Sequence, residues 1–458
     1  MPAMAMRWAL CFAAAAILLH GAAPSRAAGT CKPGTVAELC NAALVVLTHV
    51  RVIDGTGAEA KEDQTLLIKA GKILSLGPSD HTPVPADART LDLRGRTVLP
   101  GLVMLHEHLF WLFEVEGGVG ISHPEHFSFP RMYLAQGVTT LRTAGTDFPY
   151  MDLRLKQRID SGELPGPEIH LTSPYFSGGD DPALGAMNVQ DVEQARRAIR
   201  YWASEGFTFF KAYQWARKDV LAAMIDEAHR LKLRVTAHLG SVSCREAAEM
   251  GIDNIEHGCF ETQEGLEKDM NGPKTQALVR TLAERHVVLT ATPARLLRPL
   301  PPAVGELYDP SARERLTKVL ARFNPAPTPG EDDLARYARF VNGFVKAGGT
   351  LVLGSDAGAL ATVPGRADHE AVENLVLRFG YAPVDAIRVA TMNGATFLGI
   401  ESRTGSLQPG KEADLLVVRG NPAQRIEDIE NVERVFAKGV AYDPKALLET
   451  VKGEVGWQ

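Results

Sequence analysis

The residues that could do chemistry sit at the ends of short apolar runs. His106 and His108 follow the run from Val98 to Leu105. Side chains alternate along a strand, so both histidines face one way and Glu107 the other. His238 ends the run 233–239, His257 ends 252–257, and Asp356 stands in Gly354-Ser-Asp-Ala-Gly358. Lys211 rises from Phe207-Thr-Phe-Phe-Lys-Ala-Tyr213, with Tyr213 two residues on and on the same face. Neutral imidazoles and a carboxylate are ligands for a divalent cation. A lysine ammonium has no lone pair to offer. Its carbamate, formed with carbon dioxide, would be an anion able to bridge two cations. Two ions about 3.5–4 Å apart can share a hydroxide and polarise a carbonyl, which is hydrolytic chemistry. The competing readings are a hydrogen-bonded set of structural histidines, or one ion held by histidines with Lys211 paired to Asp356.

Positioning these groups requires strands that end on one side of the molecule. Eight candidates are present: 98–105, 137–142, 167–173, 207–213, 233–239, 252–257, 286–292 and 350–355. Helical spacing fills the intervals, as in 189–204, where Val189, Val192, Ala195 and Ile199 recur every three to four residues. Further helical stretches are 217–231, 332–347, 368–378 and 383–399. Strands alternating with helices predict an α/β fold, a (β/α)8 TIM barrel with its site at the carboxyl ends of the strands. Turn-punctuated runs at 44–96, and again at 405–418 and 432–440, predict hairpins from both flanks meeting in one small β-sandwich domain. The expected organisation is a signal peptide over 1–28 and a tail over 29–43, then the first segment of the β-sandwich over 44–97. The barrel follows over 98–400, and 401–458 supplies the second β-sandwich segment with the C-terminal tail. The proline-rich stretch 293–331 lacks periodicity and reads as a lid or active-site loop. His170 and His286, inside the third and seventh strands, read as packing or supporting groups. Glu107 reads as structural. His369-Glu370 opens a helix, where the carboxylate would suit the dipole.

Composition narrows the partners. The chain of 458 residues is 45% hydrophobic and 23% charged with a net charge of −6, an ordinary globular balance. No basic excess points to nucleic acid or an anionic membrane. At the start, Arg7, the apolar run Trp8–Leu19 and the small residues Ser25-Arg-Ala-Ala28 form a secretory signal, too short to span a membrane. Cutting after Ala28 removes Arg7 and Arg26 and no acid, taking the charge from −6 to −8. The expected address is the periplasm or the exterior. Cys31 and Cys40 could form a local disulfide there or stay as two thiols in a tail. Cys244 and Cys259 lack a metal-binding spacing and read as buried small apolar residues.

Taken together, the chain resembles the amidohydrolase superfamily, in its prolidase-like and imidazolonepropionase-like branch. The carrying residues are Pro100-Gly-Leu-Val-Met-Leu-His-Glu-His108, Gly137-Val-Thr-Thr, Phe210-Lys-Ala-Tyr213, Ala237-His238, Ile255-Glu-His-Gly258 and Gly354-Ser-Asp356. Ala390–Ala395 and Gly410–Leu415 continue the likeness, which spans nearly all of 44–440. The resemblance implies that His106, His108 and Asp356 bind the more buried of two divalent ions, zinc being expected. His238 and His257 would bind the second, and carbamylated Lys211 would bridge them. Asp356 would shuttle a proton from the bridging hydroxide to the leaving amine. Tyr213 is a candidate donor to substrate or oxyanion, or else an inward structural tyrosine.

The implied activity is hydrolysis of carbon–nitrogen amide bonds in a small molecule: a dipeptide, an N-acyl amino acid or an amide-linked xenobiotic. Alternatives on the same centre are cyclic amides, lactones and phosphotriesters, and a non-enzymatic barrel relative is a further one. A homo-oligomer is compatible with the sequence, and no membrane partner is expected. Two positions depart from the pattern: Met104 stands where an Asp often precedes the first histidine, and Thr143 follows Arg142 where Asp is common. A deaminase of this superfamily would carry a Glu at the position of Ser241.

Overall fold

The computed structural model describes residues 37–38, 44–114, 120–178, 185–259, 270–293, 301–323, 330–359 and 362–456. The segment 1–28, Cys31 and Cys40 lie outside these residues. Among the described residues no helix is long and apolar enough to cross a membrane.

Parallel strands follow one another in chain order, giving a TIM-barrel-like α/β fold. Thr172–Ser177, Phe209–Ala212, Arg234–Ala237, Asn254–Glu256, Val288–Ala291 and Thr350–Leu353 each pair with the next. Leu102–Glu114, Val138–Thr143 and Glu168–His170 form a second parallel set. Contacts at both seams join the sets. The Asp356 amide donates to the His106 carbonyl at 2.9 Å, and the Thr172 amide donates to Thr143 Oγ1 at 2.9 Å. Thr143 therefore stitches neighbouring strands.

The helices between them form where the apolar spacing placed them. In Val192–Ser204 the Asp191 side chain caps the Gln194 amide at 2.8 Å, and Ala195, Ile199 and Trp202 are buried. Burying a side chain such as Ile199 contributes about 1.5–3 kcal/mol. One core cluster runs through both strand sets and their helices.

Three expectations change. The run 98–105 is not one strand: Arg96–Pro100 ends at Pro100, and Leu102–Glu114 begins after Gly101. The Pro100 ring has no N–H for a ladder. Gly101 is required because a Cβ there would lie 2.0 Å from Thr139 Oγ1. The barrel strand also runs past the histidines to Glu114, so His106-Glu-His108 lies mid-strand. Second, 293–331 contains helices Pro302–Gly305 and Pro310–Phe323, the latter burying Ala312 and Leu316 at a four-residue interval among charged neighbours. Residues 294–300 and 324–329 lie outside the described set. Third, His286 precedes its strand, exposed in a turn with φ 56°.

Among the described residues, the segments on both sides of these strand sets share one nine-stranded sheet. Leu44–Val52, Lys61–Lys69 and Lys72–Pro78 form antiparallel hairpins. Arg96–Pro100 then pairs antiparallel with Leu415–Arg419, Val98 opposite Val417. The sheet has its own core, including Val45, Leu47, Leu66, Ile68, Val98, Leu415 and Phe436.

Candidate active site

Strand Leu102–Glu114 turns His106 and His108 to one face, toward Asp356, and Glu107 to the other. Asp356 meets both histidines: its Oδ1 lies 3.3 Å from His106 Nε2 and 3.1 Å from His108 Nε2. The His106 ring is 4.3 Å from the His257 ring, which is 4.8 Å from that of His238. One ligand atom from each of His106, His257 and Asp356 falls within 4.8 Å of the others. Such a donor set, nitrogen and carboxylate oxygen facing a common point, fits a divalent ion.

Two of these candidate ligands depend on unusual backbone. His257 has φ 61° and Asp356 φ 58°, the left-handed region that non-glycine residues rarely adopt. The reason is visible at Glu256 and His257. In a regular strand these neighbours would face opposite ways, yet both reach His106. Glu256 Oε2 lies 2.8 Å from His106 Nδ1, while the His257 ring packs on the imidazole. The left-handed step at His257 brings the second side chain inward, at a strain of about 1–3 kcal/mol that the surrounding packing must hold.

Lys211 is fully buried, its Nζ 3.9 Å from Glu256 Oε1. Burial lowers its ammonium to about 8, against the pull of the Glu256 carboxylate. Burial opposes ionisation of Asp356 and of Glu256, but their partners win. His106 and His108 hold Asp356 well below the carboxylate range, and Arg142, His106 and Lys211 do so for Glu256. All six candidate ligands thus gather in one interior, with Tyr213 beside them. The Tyr213 ring lies between Tyr175, at 5.1 Å, and His238, at 5.3 Å.

Several contributors were not singled out in the sequence. Glu256 holds His106 by its Nδ1 and forms a fully buried pair with Arg142 Nη2 at 2.6 Å. Nothing in spacing marked it, although a Glu inside an apolar strand next to a candidate ligand was a signal. Gln214 Nε2 lies 3.2 Å from His238 Nε2, and the Tyr175 hydroxyl 3.5 Å from His108 Nδ1. Phe110, on the same strand face as the two histidines, packs 4.8 Å from the His108 ring.

Other expectations fall into place away from the ligands. Glu107 is buried on the far side, accepting from the Ser355 amide at 2.8 Å and the Tyr133 hydroxyl at 3.2 Å. His170 pairs with Glu168 at 3.1 Å. His369 is buried against the Gln136 carbonyl at 2.7 Å. Glu370 does not sit in the first turn of its helix; it pairs with Arg366 at 3.1 Å, and Asp368 takes the dipole position. Ser241 donates to the Ala216 carbonyl at 2.8 Å, a loop-holding role unlike that of an acid–base glutamate. The cysteines correct the sequence reading: Cys244 and Cys259 are a disulfide, not separate apolar fillers. Their spacing of 15 residues concealed it, because the start of helix Cys244–Met250 and the turn after His257 bring them together.

Comparison with known proteins agrees with this layout. Residues 97–441 match the amidohydrolase family. The ochratoxinase of Aspergillus niger is 24% identical over 474 residues, covering 93% of this chain and 85% of that protein. A structure titled as a putative prolidase from Bifidobacterium longum superposes with a TM-score of 0.68 at 25% identity, over 89% of this chain and 98% of that one. A Xaa-Pro dipeptidase with bound methionine gives 0.66 at 22% identity, over 87% of this chain and all (100%) of the other.

Proposed function

The chain belongs to the amidohydrolase family, and from that premise we propose that it hydrolyses amide bonds of small molecules at a centre of two divalent ions. His106, His108 and Asp356 would hold one ion, His238 and His257 the other, with carbamylated Lys211 between them. The observation that carries this reading is the meeting of Asp356 Oδ1 with the Nε2 atoms of both first-strand histidines. Bound divalent ions would supply acidified water and a polarised carbonyl. The chain's own residues do the rest. Asp356, ionised because His106 and His108 outweigh its burial, accepts a proton at its carboxylate and returns it to the leaving nitrogen. Lys211, brought by burial to about 8, is poised to lose the proton that carbamate formation requires. Glu256 fixes the His106 ring so that Nε2 faces Asp356.

The substrate is proposed to carry an apolar or aromatic group beside the scissile bond, as in a dipeptide, an N-acyl amino acid or an amide-linked xenobiotic. The rings of Phe110, Tyr175 and Tyr213 around His108 and His238 support this. So do relatives named for ochratoxin and dipeptide hydrolysis. We propose export through residues 1–28 and a closed eight-stranded barrel with flanking segments split near 97 and 401. A disulfide beside the site fits an oxidising compartment.

The deciding experiment is metal analysis of the mature protein combined with a panel of aromatic dipeptides, N-acyl amino acids and lactones. Close to two ions per chain and chelator-sensitive amide cleavage are expected. Activity that survives complete metal removal would refute the mechanism.

A further inference from the structure

The Cys244–Cys259 disulfide stands beside the site without entering the steps above. Cys244 opens helix Cys244–Met250 in the chain leaving His238, behind a Ser243–Glu246 capping box. Cys259 follows His257 and Gly258, two successive residues with φ 61° and 97°. Both cysteines are buried. The bond therefore ties together the exits of the two strands whose histidines face each other at 4.8 Å. His257 is otherwise held by its amide on the Thr290 carbonyl at 3.0 Å and by Nδ1 at 2.7 Å from Thr292 Oγ1. A left-handed histidine followed by a glycine is a natural hinge, and the chain just beyond it is pinned covalently.

We propose that this disulfide is a clamp that keeps His257 in its ligand position, so that retention of the second metal ion depends on the oxidised state of the pair. The inference rests on the hydrolase reading above. Opening the clamp takes two electrons and two protons from a dithiol, which leaves as its own disulfide while Cys244 and Cys259 become thiols. His257 can then relax toward an ordinary backbone conformation and swing away from His238. Cys244 and Cys259 act through His257 and are positioning residues.

The test uses mature, zinc-loaded protein and a chromogenic chelator that reports Zn2+ release. Three forms are compared: oxidised wild type, wild type reduced by a dithiol, freed of that reagent and then loaded with zinc, and the double variant Cys244→Ala/Cys259→Ala. Far-UV circular dichroism checks that each is folded, and the reduced wild type serves if the double variant does not fold. Without the clamp, one of two ions is expected to leave about 10–100-fold faster while the other stays. A merely structural bond would lower Tm and leave both release rates alone, and that outcome overturns the proposal. Labelling of both thiols in denatured, unreduced protein also overturns it. Oxidised wild type that binds no Zn2+ removes the hydrolase reading and this one with it.

Discussion

Asp356 and Glu256 are both buried carboxylates, and their neighbours decide what each can do. Asp356 touches the Nε2 atoms of His106 and His108, whereas Glu256 faces the back of His106 and the guanidinium of Arg142. Glu256→Gln should keep the fold and weaken metal affinity by about 10–100-fold, because His106 loses its orienting anion. Equilibrium dialysis against zinc checks this, and an unchanged affinity would deny Glu256 that role. Glu256→Gln and Glu256→Ala should both cost about 3–5 kcal/mol in denaturant unfolding, since each removes the anion that faces the buried Arg142 guanidinium. Lys211→Ala and Lys211→Arg should both lose most activity and one of two ions, as neither can carry a carbamate. Wild-type turnover with two ions in either variant would reduce Lys211 to a counterion. The six candidate ligands were legible as residue types that metal chemistry uses, and the structure brings ligand atoms of His106, His257 and Asp356 within 4.8 Å of one another. Glu256 and the cysteine pair were not legible, since Glu256 works through His106 and Arg142 from distant strands and the cysteines meet only once two neighbouring strands have folded side by side.

Among the elements, the break at Gly101 separates two cores that the sequence ran together. The apolar run Val98–Leu105 carries no periodicity that distinguishes one buried strand from two; Pro100, which lacks an N–H, and the crowding of Thr139 against Gly101 fix the division. Gly101→Ala should therefore cost about 1–3 kcal/mol by overpacking, and Thr139→Ala should return some of it. A double-mutant cycle showing no coupling would exclude that contact. The helix Pro310–Phe323 was hidden for a different reason: its buried face is narrow and its flanks are rich in proline. It is tied down by the chain near its end, where the Asp309 amide donates to the Val455 carbonyl at 2.9 Å and Gly456 donates to Glu125 at 2.9 Å. Burial pushes the Glu125 carboxyl from 4.5 up to about 7, against donors from Ser128 and Gly456, with His123, His126 and Asp309 around it. A carboxyl raised on folding favours the folded state fully below 4.5 and loses that advantage as pH rises through about 7. The Tm of Glu125→Gln should accordingly lack the share of the decline between these values that wild type shows. Parallel Tm profiles for the two proteins would contradict the assignment.

At the scale of the whole molecule, the alternation of strands and helices announced the architecture because each βα unit is local in sequence. The small sheet was legible only as two sets of hairpins, and its pairing of Val98 with Val417 is not local at all. That pairing imposes an order in time. While the ribosome is still making the barrel, Arg96–Pro100 has a bare, apolar edge and no partner to cover it. Such an edge invites pairing with another chain, and contacts this distant form slowly. A nascent polypeptide of this topology must be kept apart from its neighbours until the last strands emerge. A chain stopped before Leu415 should collect as aggregate where the longer one stays in solution, and light scattering during synthesis would register the difference.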